Sequence, residues 1–295
     1  MAYFLAVANR KGGVGKSTIA VMLAHAFAVW GGKRVLVLDL DSQCNASLIL
    51  IGGQGWSLAR REERTIADYF YDLFDEKNPK AKEYVQHRVG DVQGLDGKRP
   101  RISLLPGSLL LEDVQGELFL MDSNQSRDHE VVGQRVQGKL ERLLRRFGEQ
   151  FDLVILDCPP GLSFAALAAL RVADKVVVPF RPDYVSQFAV DRIAQLIENK
   201  RTNDAVEEIP FDRRRYVCLA NFVRNQDRDR SLIDEIALFH PLLATQLPQR
   251  EAIANALDWV AEPQPIEKKY GEATTDLSRL YEELATHFVH AQAAE

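Results

Sequence analysis

Residues 10–18, Arg10-Lys11-Gly12-Gly13-Val14-Gly15-Lys16-Ser17-Thr18, stand between an apolar run at 3–8 and a helical pattern at 19–30. A strand that feeds a glycine-rich turn and then a helix start aims several backbone N–H groups, and the positive end of the helix dipole, at one point. Such a point takes a polyphosphate. Gly12, Gly13 and Gly15 let the backbone approach phosphate oxygens with no Cβ in the way, Lys16 reaches the β and γ oxygens, and the Ser17 hydroxyl is placed for magnesium. Val14 and Thr18 complete the stretch expected to surround a nucleotide.

The remaining pattern alternates strands with helices. Helix one, expected over 17–30, carries Ile19, Leu23, Ala26, Phe27 and Trp30 at helical spacing and stops at Gly31-Gly32. Continuous apolar runs at 34–38, 102–105, 152–156, 175–179, 216–221 and 243–247 read as strands of a sheet covered on both faces. Helices are expected over 131–147, 184–199, 231–239 and 275–291, with another opening near Pro106-Gly107-Ser108. The sum is one doubly wound α/β domain over 1–295, with a mostly parallel sheet and the P-loop NTPase fold. Gly52-Gly53-Gln54-Gly55 reads as a flexible turn, 65–74 as a helix capped by Thr65, and the charged stretch 76–101 as solvated, so a surface insertion is expected at about 53–100.

Ligands of open α/β sheets sit at the C-terminal strand ends. There the chain places Asp39-Leu40-Asp41-Ser42-Gln43-Cys44-Asn45 after the second strand and Asp157-Cys158-Pro159-Pro160-Gly161 after a later one. Asp157, following four apolar residues, is the expected Walker B carboxylate that holds magnesium. Asp39 and Asp41 read by themselves as either a metal pair or a turn.

Lys plus Arg is 37 and Asp plus Glu is 42, a net charge of −5, so any nucleic-acid contact must use a local patch. Cys44, Cys158 and Cys218 lack paired spacing and suggest a reducing cytosol. No basic-then-apolar leader and no apolar run of the roughly 18 residues that span a bilayer is visible. A cytoplasmic protein is expected.

The loop has Arg10 where G-x-x-x-x-G-K-[ST] has its first glycine, followed by a second lysine, Lys11. It resembles the deviant Walker A loop of the ParA/MinD (Soj-like) family of P-loop ATPases. The likeness is nearest to ParA-type partition ATPases without an N-terminal helix-turn-helix, for which the residues before the loop leave no room. Residues 39–45 are similar to the family's D-x-D-P-Q-G-N, with Ser42 and Cys44 replacing Pro and Gly. Val176-Val177-Val178-Pro179 is similar to V-I-I-P, and Leu247-Pro248-Gln249 to I-P-R. The resemblance implies that Lys11 crosses a dimer interface to the partner's nucleotide, that Asp41 orients the attacking water and that Asp39 supports the magnesium shell. It also implies that Asn221 and Pro248 lie by the adenine. The implied cofactors are ATP and magnesium. The implied cycle is an ATP-sandwich homodimer that binds non-specific DNA, associates with the nucleoid when ATP-bound, and has weak hydrolysis stimulated by a ParB-like adaptor.

Two basic sets could serve as the DNA surface: the helical stripe Arg135, Lys139, Arg142 and Arg146, and the later cluster Arg213, Arg214, Arg215, Arg224, Arg228 and Arg230. Arg224, Arg228, Arg230 and Arg250 are the leading candidates, because the family's DNA-contacting arginines lie in the C-terminal part. Residues 280–290 contain acids and no Lys or Arg, so no stable membrane anchor is expected. Alternatives are a ParA-like regulator of a membrane or secretion complex, of the cellulose or flagellar type, and a small-molecule ligase of the dethiobiotin synthetase type. Lys11 favours the first reading over the ligase.

Overall fold

The computed structural model of the chain describes residues 2–74, 80–123, 128–224 and 226–293. In chain order the strands are β1 (Tyr3–Val7), β2 (Val35–Asp39), β3 (Gln86–His87), β4 (Val92–Gln93), β5 (Ile102–Leu105), β6 (Leu153–Asp157), β7 (Lys175–Phe180), β8 (Tyr216–Val223), β9 (Leu247–Pro248) and β10 (Gln264–Pro265). The helices are α1 (Lys16–Val29), α2 (Asn45–Arg61), α3 (Ile66–Phe74), α4 (Leu111–Ser123), α5 (His129–Arg145), α6 (Phe164–Val172), α7 (Ser186–Ile197), α8 (Asn203–Glu207), α9 (Asp227–Phe239), α10 (Glu251–Asn255), α11 (Ile266–Tyr270) and α12 (Thr274–Ala293).

Eight strands form one sheet in the order β3-β5-β2-β6-β1-β7-β8-β9, and only the edge pair β3–β5 is antiparallel. The apolar strands are buried on both faces because successive side chains feed two different cores. Phe4, Leu36, Leu38, Val154, Leu156 and Val176 join residues of α5, α6 and α7 on one face. Tyr3, Leu5, Val35, Val37, Ile155 and Val177 join α1 and α12 on the other. β1 lies between β6 and β7, and the chain crosses from it to β2 on one side and later to β7 on the other. That switch point places the loop after β1 at the crevice of the sheet.

Three stretches differ from the sequence-based expectation. Gly52-Gly53-Gln54-Gly55 is no turn but part of α2, which kinks at Gly52 with φ +67 and ψ 170. Only glycine adopts that conformation readily, and a Cβ there would lie 2.8 Å from the Trp259 ring. Ile49, Leu50 and Ile51 before the kink are buried in the α1 core, and after it Trp56 packs against the same core and Ala59 is buried.

The second stretch is 80–100, which was expected to be solvated. Tyr84, Val85, Val89 and Val92 are buried, and β4 pairs with β10 near the chain's other end. Residues 75–79 of the expected insertion lie outside the described residues. Third, the strand expected over 243–247 shrinks to β9 and a single bridge between Cys218 and Leu242. α6, whose start Ser163 caps by accepting from the Ala166 amide, was not anticipated. Among the described residues no helix is long and apolar enough to cross a membrane.

Candidate active site

Asn9, buried directly after β1, donates to the Pro179 carbonyl (2.7 Å) and accepts from the Lys11 amide (3.0 Å), which ties the start of the loop to the end of β7. Gly13 (φ +68) and Gly15 (φ +90) hold left-handed backbone that a side chain would strain. A Cβ on Gly12 or Gly13 would meet only open space, so the backbone there is free to face a ligand. A Cβ on Gly15 would run into Asn221. Val14 is fully buried beneath the loop.

The two lysines of the loop diverge. Lys16 is buried and its ammonium donates to the Lys11 carbonyl (3.3 Å). Burial lowers its pKa, and the Asp157 and Asp41 charges act against that fall. Lys11 is only partly covered and forms an ion pair with Asp183, beyond the end of β7. Burial alone would raise the Asp183 carboxyl, but its hydrogen bonds from Lys11 and Ser186 and the Lys11 charge hold it below the usual range. Tyr184, Val185 and Phe188 beside this pair are exposed apolar side chains.

Three carboxylates converge from β2 and β6, where Asp39 and Asp157 are register partners. Both Asp157 oxygens are buried with no hydrogen-bond partner among the described residues. Burial, then the Asp39 and Asp41 charges, push its pKa well up; Ser17 lies close enough to oppose the rise without closing a bond of ordinary geometry. Asp39, expected to support the magnesium shell, accepts three bonds from the 41–47 stretch. One oxygen accepts from the Ser47 amide (2.8 Å) and hydroxyl (2.6 Å), the other from the Asp41 amide (3.3 Å). Burial raises its pKa to about 6 against these bonds. Gly107 must be glycine beside it, since a Cβ would come within 2.9 Å of the carboxyl carbon. Asp41 is nearly buried, faces the cleft and accepts from the Gln43 amide (2.9 Å).

A cleft of about 810 Å³ opens over the loop. Gly12, Gly13, Gly15, Lys16, Ser17, Thr18 and Asp41 line it, and Lys11, Asp39, Asn221 and Pro248 do not. Asn221 is a strut: its amide donates to the Val14 carbonyl (2.8 Å) and its oxygen accepts from the Phe222 amide (2.9 Å). Pro248 pairs in register with Val223 at the sheet edge. Sequence reasoning missed Arg181, Phe222 and Trp259, which also line the cleft. Phe222 was within reach, as the neighbour of Asn221, and so was Arg181, directly after the C-terminal end of β7 where ligands of such sheets sit; Trp259 gave no local signal.

The basic sets separate on burial. Arg214, buried, donates to the carbonyls of Ile209, Phe239 and Glu207. Arg215 donates to those of Ile197, Leu170 and Ala173, so both are structural rather than part of a DNA surface. Arg250 pairs with Asp276 (2.9 Å) and Glu272 (3.4 Å) and presents little free charge. Arg224 is exposed beside Asp229 (3.6 Å), Arg230 beside Asp227 (3.9 Å), and the Arg228 guanidinium lies over Tyr184. Arg135 and Arg142 on α5, and Arg146 just past its end, are exposed.

A phosphate loop at the switch point of a mostly parallel sheet, with a buried lysine and facing carboxylates, defines the P-loop NTPase fold. Comparison with known proteins agrees. The family model described as AAA domain (AAA_31) matches residues 2–208. The sporulation initiation inhibitor protein Soj of Bacillus subtilis is 29 % identical over 201 residues, 68 % of this chain and 66 % of Soj. The chromosome partitioning protein ParA of Caulobacter vibrioides is 31 % identical over 193 residues, 65 % of this chain and 60 % of ParA. The match thus spans less than two thirds of either relative. The septum site-determining protein MinD of Pyrococcus horikoshii, solved with Mg-ADP, superposes with a TM-score of 0.63 over 96 % of both chains at 18 % identity. The chain belongs to the ParA/MinD family of P-loop ATPases.

Proposed function

We propose that this protein is a ParA-type positioning ATPase. Two copies close over two ATP molecules, the closed pair binds DNA without regard to sequence, and a ParB-like adaptor stimulates slow hydrolysis. The observation that carries this reading is the divergence of the two loop lysines. Lys16 is buried in the site, whereas Lys11 stands at the rim, outside the cleft lining, among exposed Tyr184, Val185 and Phe188. A cation outside its own cleft, held at the rim by Asp183 and followed there by exposed apolar residues, suits the nucleotide of a second copy. Likeness to Soj and ParA supports it.

Within each site Lys16 pairs with the β and γ oxygens, and the backbone of Gly12, Gly13 and Gly15 cradles them. The paired absence of partners on the buried Asp157 oxygens fits a divalent cation, which Asp157 and the Ser17 hydroxyl would hold. Magnesium there would neutralise charge shared by the β and γ phosphates. Asp41 orients the attacking water, held by its bond to Gln43. Asp39 works at one remove by fixing the 41–47 loop through Ser47.

Arg224, Arg228 and Arg230 are the DNA surface in this reading. Arg228, over Tyr184, adjoins the face that a second copy would cover, so pairing brings two basic sets together. Nucleoid association of the ATP form follows.

Sedimentation with a non-hydrolysable ATP analogue tests the proposal. Lys16→Ala should lose nucleotide binding. Lys11→Ala should bind nucleotide as a monomer and fail to dimerise. A normal dimer from Lys11→Ala would overturn the reading.

A further inference from the structure

β8 does not end smoothly. Its pairing with β9 breaks register between Asn221 and Val223, and the residue in between, Phe222, has φ +57. An aromatic residue in left-handed backbone is costly and persists where its surroundings over-determine it, most often at functional sites. Asn221 supplies that constraint by bonding both the Phe222 amide and the phosphate loop. The bulge sets the Phe222 ring against the loop, 3.5 Å from where a Cβ of Gly15 would be. On that ring lies the guanidinium of Arg181, its carbon 3.9 Å from the centroid. Arg181 is exposed, lines the cleft with Phe222, and pairs with no carboxylate among the described residues.

We propose that Arg181, laid on Phe222, is a stacking shelf for the nucleobase and biases the site towards purines. The inference rests on the nucleotide reading above. A guanidinium already stacked on one aromatic plane keeps its second face for another, and its position is fixed before the ligand arrives. A purine covers that face more fully than a pyrimidine. Asn221, with its oxygen and one amide hydrogen engaged, leaves the base to be held chiefly by such a plane.

Titration calorimetry with ATP, CTP and inorganic tripolyphosphate, each with magnesium, tests the shelf on the full chain. Arg181→Ala should weaken ATP roughly tenfold and CTP by less than about threefold, and leave tripolyphosphate unchanged. Arg181→Lys should fail to restore ATP affinity, because an ammonium has no plane to stack. Phe222→Leu, which removes the support, should repeat the Arg181→Ala pattern. Equal loss of ATP and tripolyphosphate, or rescue by Arg181→Lys, would make Arg181 a phosphate cation and overturn the proposal. Unchanged ATP affinity would overturn it too. If the wild type binds neither ATP nor tripolyphosphate and Lys16→Ala changes nothing, the nucleotide reading fails and the shelf falls with it.

Discussion

Asp91→Ala removes one half of a buried ion pair whose loss can be sized from the structure. The Asp91 carboxylate accepts from the Lys269 ammonium (2.7 Å) and from the Val260 amide (3.0 Å), and both charged side chains are 1 % exposed. Lys269 also donates to the Asp258 carbonyl (3.2 Å), so it stays buried when its carboxylate is gone. A buried charge left without its partner costs about 3–5 kcal/mol, against a total stability of roughly 5–15. Asp91→Ala should therefore lose about 4 kcal/mol and lower the Tm by roughly 10 °C. Replacing both members, Asp91→Leu with Lys269→Met, should recover most of that, since no charge is then stranded. Urea unfolding followed by circular dichroism measures the loss. Tryptophan fluorescence follows the local consequence, because Val260 is released beside Trp259 and its seat on Gly52. A cost below about 1 kcal/mol for Asp91→Ala, or a double variant as unstable as the single, would refute the assignment of this pair as the fastening of the 258–269 segment.

On the proposed reading Asp41→Ala should retain ATP and the dimer while hydrolysis stalls, because Lys16, Ser17 and Asp157 would still hold the nucleotide and its magnesium; single-turnover hydrolysis at the wild-type rate would disprove the role. His25, fully buried and bonded to Tyr270 (2.8 Å), has its pKa lowered to about 3 by burial and by the Lys269 charge. The unfolded chain thus takes up this proton first, so stability is lost as pH falls from about 6.5 towards 3, by about 2 kcal/mol at pH 5. His25→Gln should lose that part of the acid dependence in pH-dependent urea titrations; an unchanged slope would exclude His25 as its source. Replacing Arg224 and Arg228 by Ala should flatten the plot of log affinity for DNA against log salt by about 3 to 4 units, from two phosphates in each of two subunits. An unchanged slope there, with loss on replacing Arg142 and Arg146, would move the DNA surface to α5.

The parts of the site that are local in sequence were legible. Residues 10–18 carry their own strand, turn and helix start, and Asp157 follows four apolar residues, so neither needed tertiary information. What escaped depends on partners far away in the chain. The glycines at 52, 53 and 55 look like a breaker until Trp259 closes on Gly52. Residues 80–100 look solvated until Asp91 finds Lys269, 178 residues on. Charge alone could not separate Arg214 and Arg215, consumed by main-chain carbonyls, from Arg224 and Arg228, which stay on the surface. For Asp39 the carboxylate was readable, but the bonds it accepts from Ser47 depend on the path of α2.

The central claim is that nucleotide state controls a two-subunit DNA-binding form. Its most direct test is DNA affinity of the wild type at one fixed salt concentration, measured in parallel with a non-hydrolysable ATP analogue and with ADP, with mass measured on the same samples. The account predicts tight, sequence-independent binding by a dimer with the analogue and weak binding by a monomer with ADP. Equal affinity in both states, or DNA bound by the monomer, would contradict it.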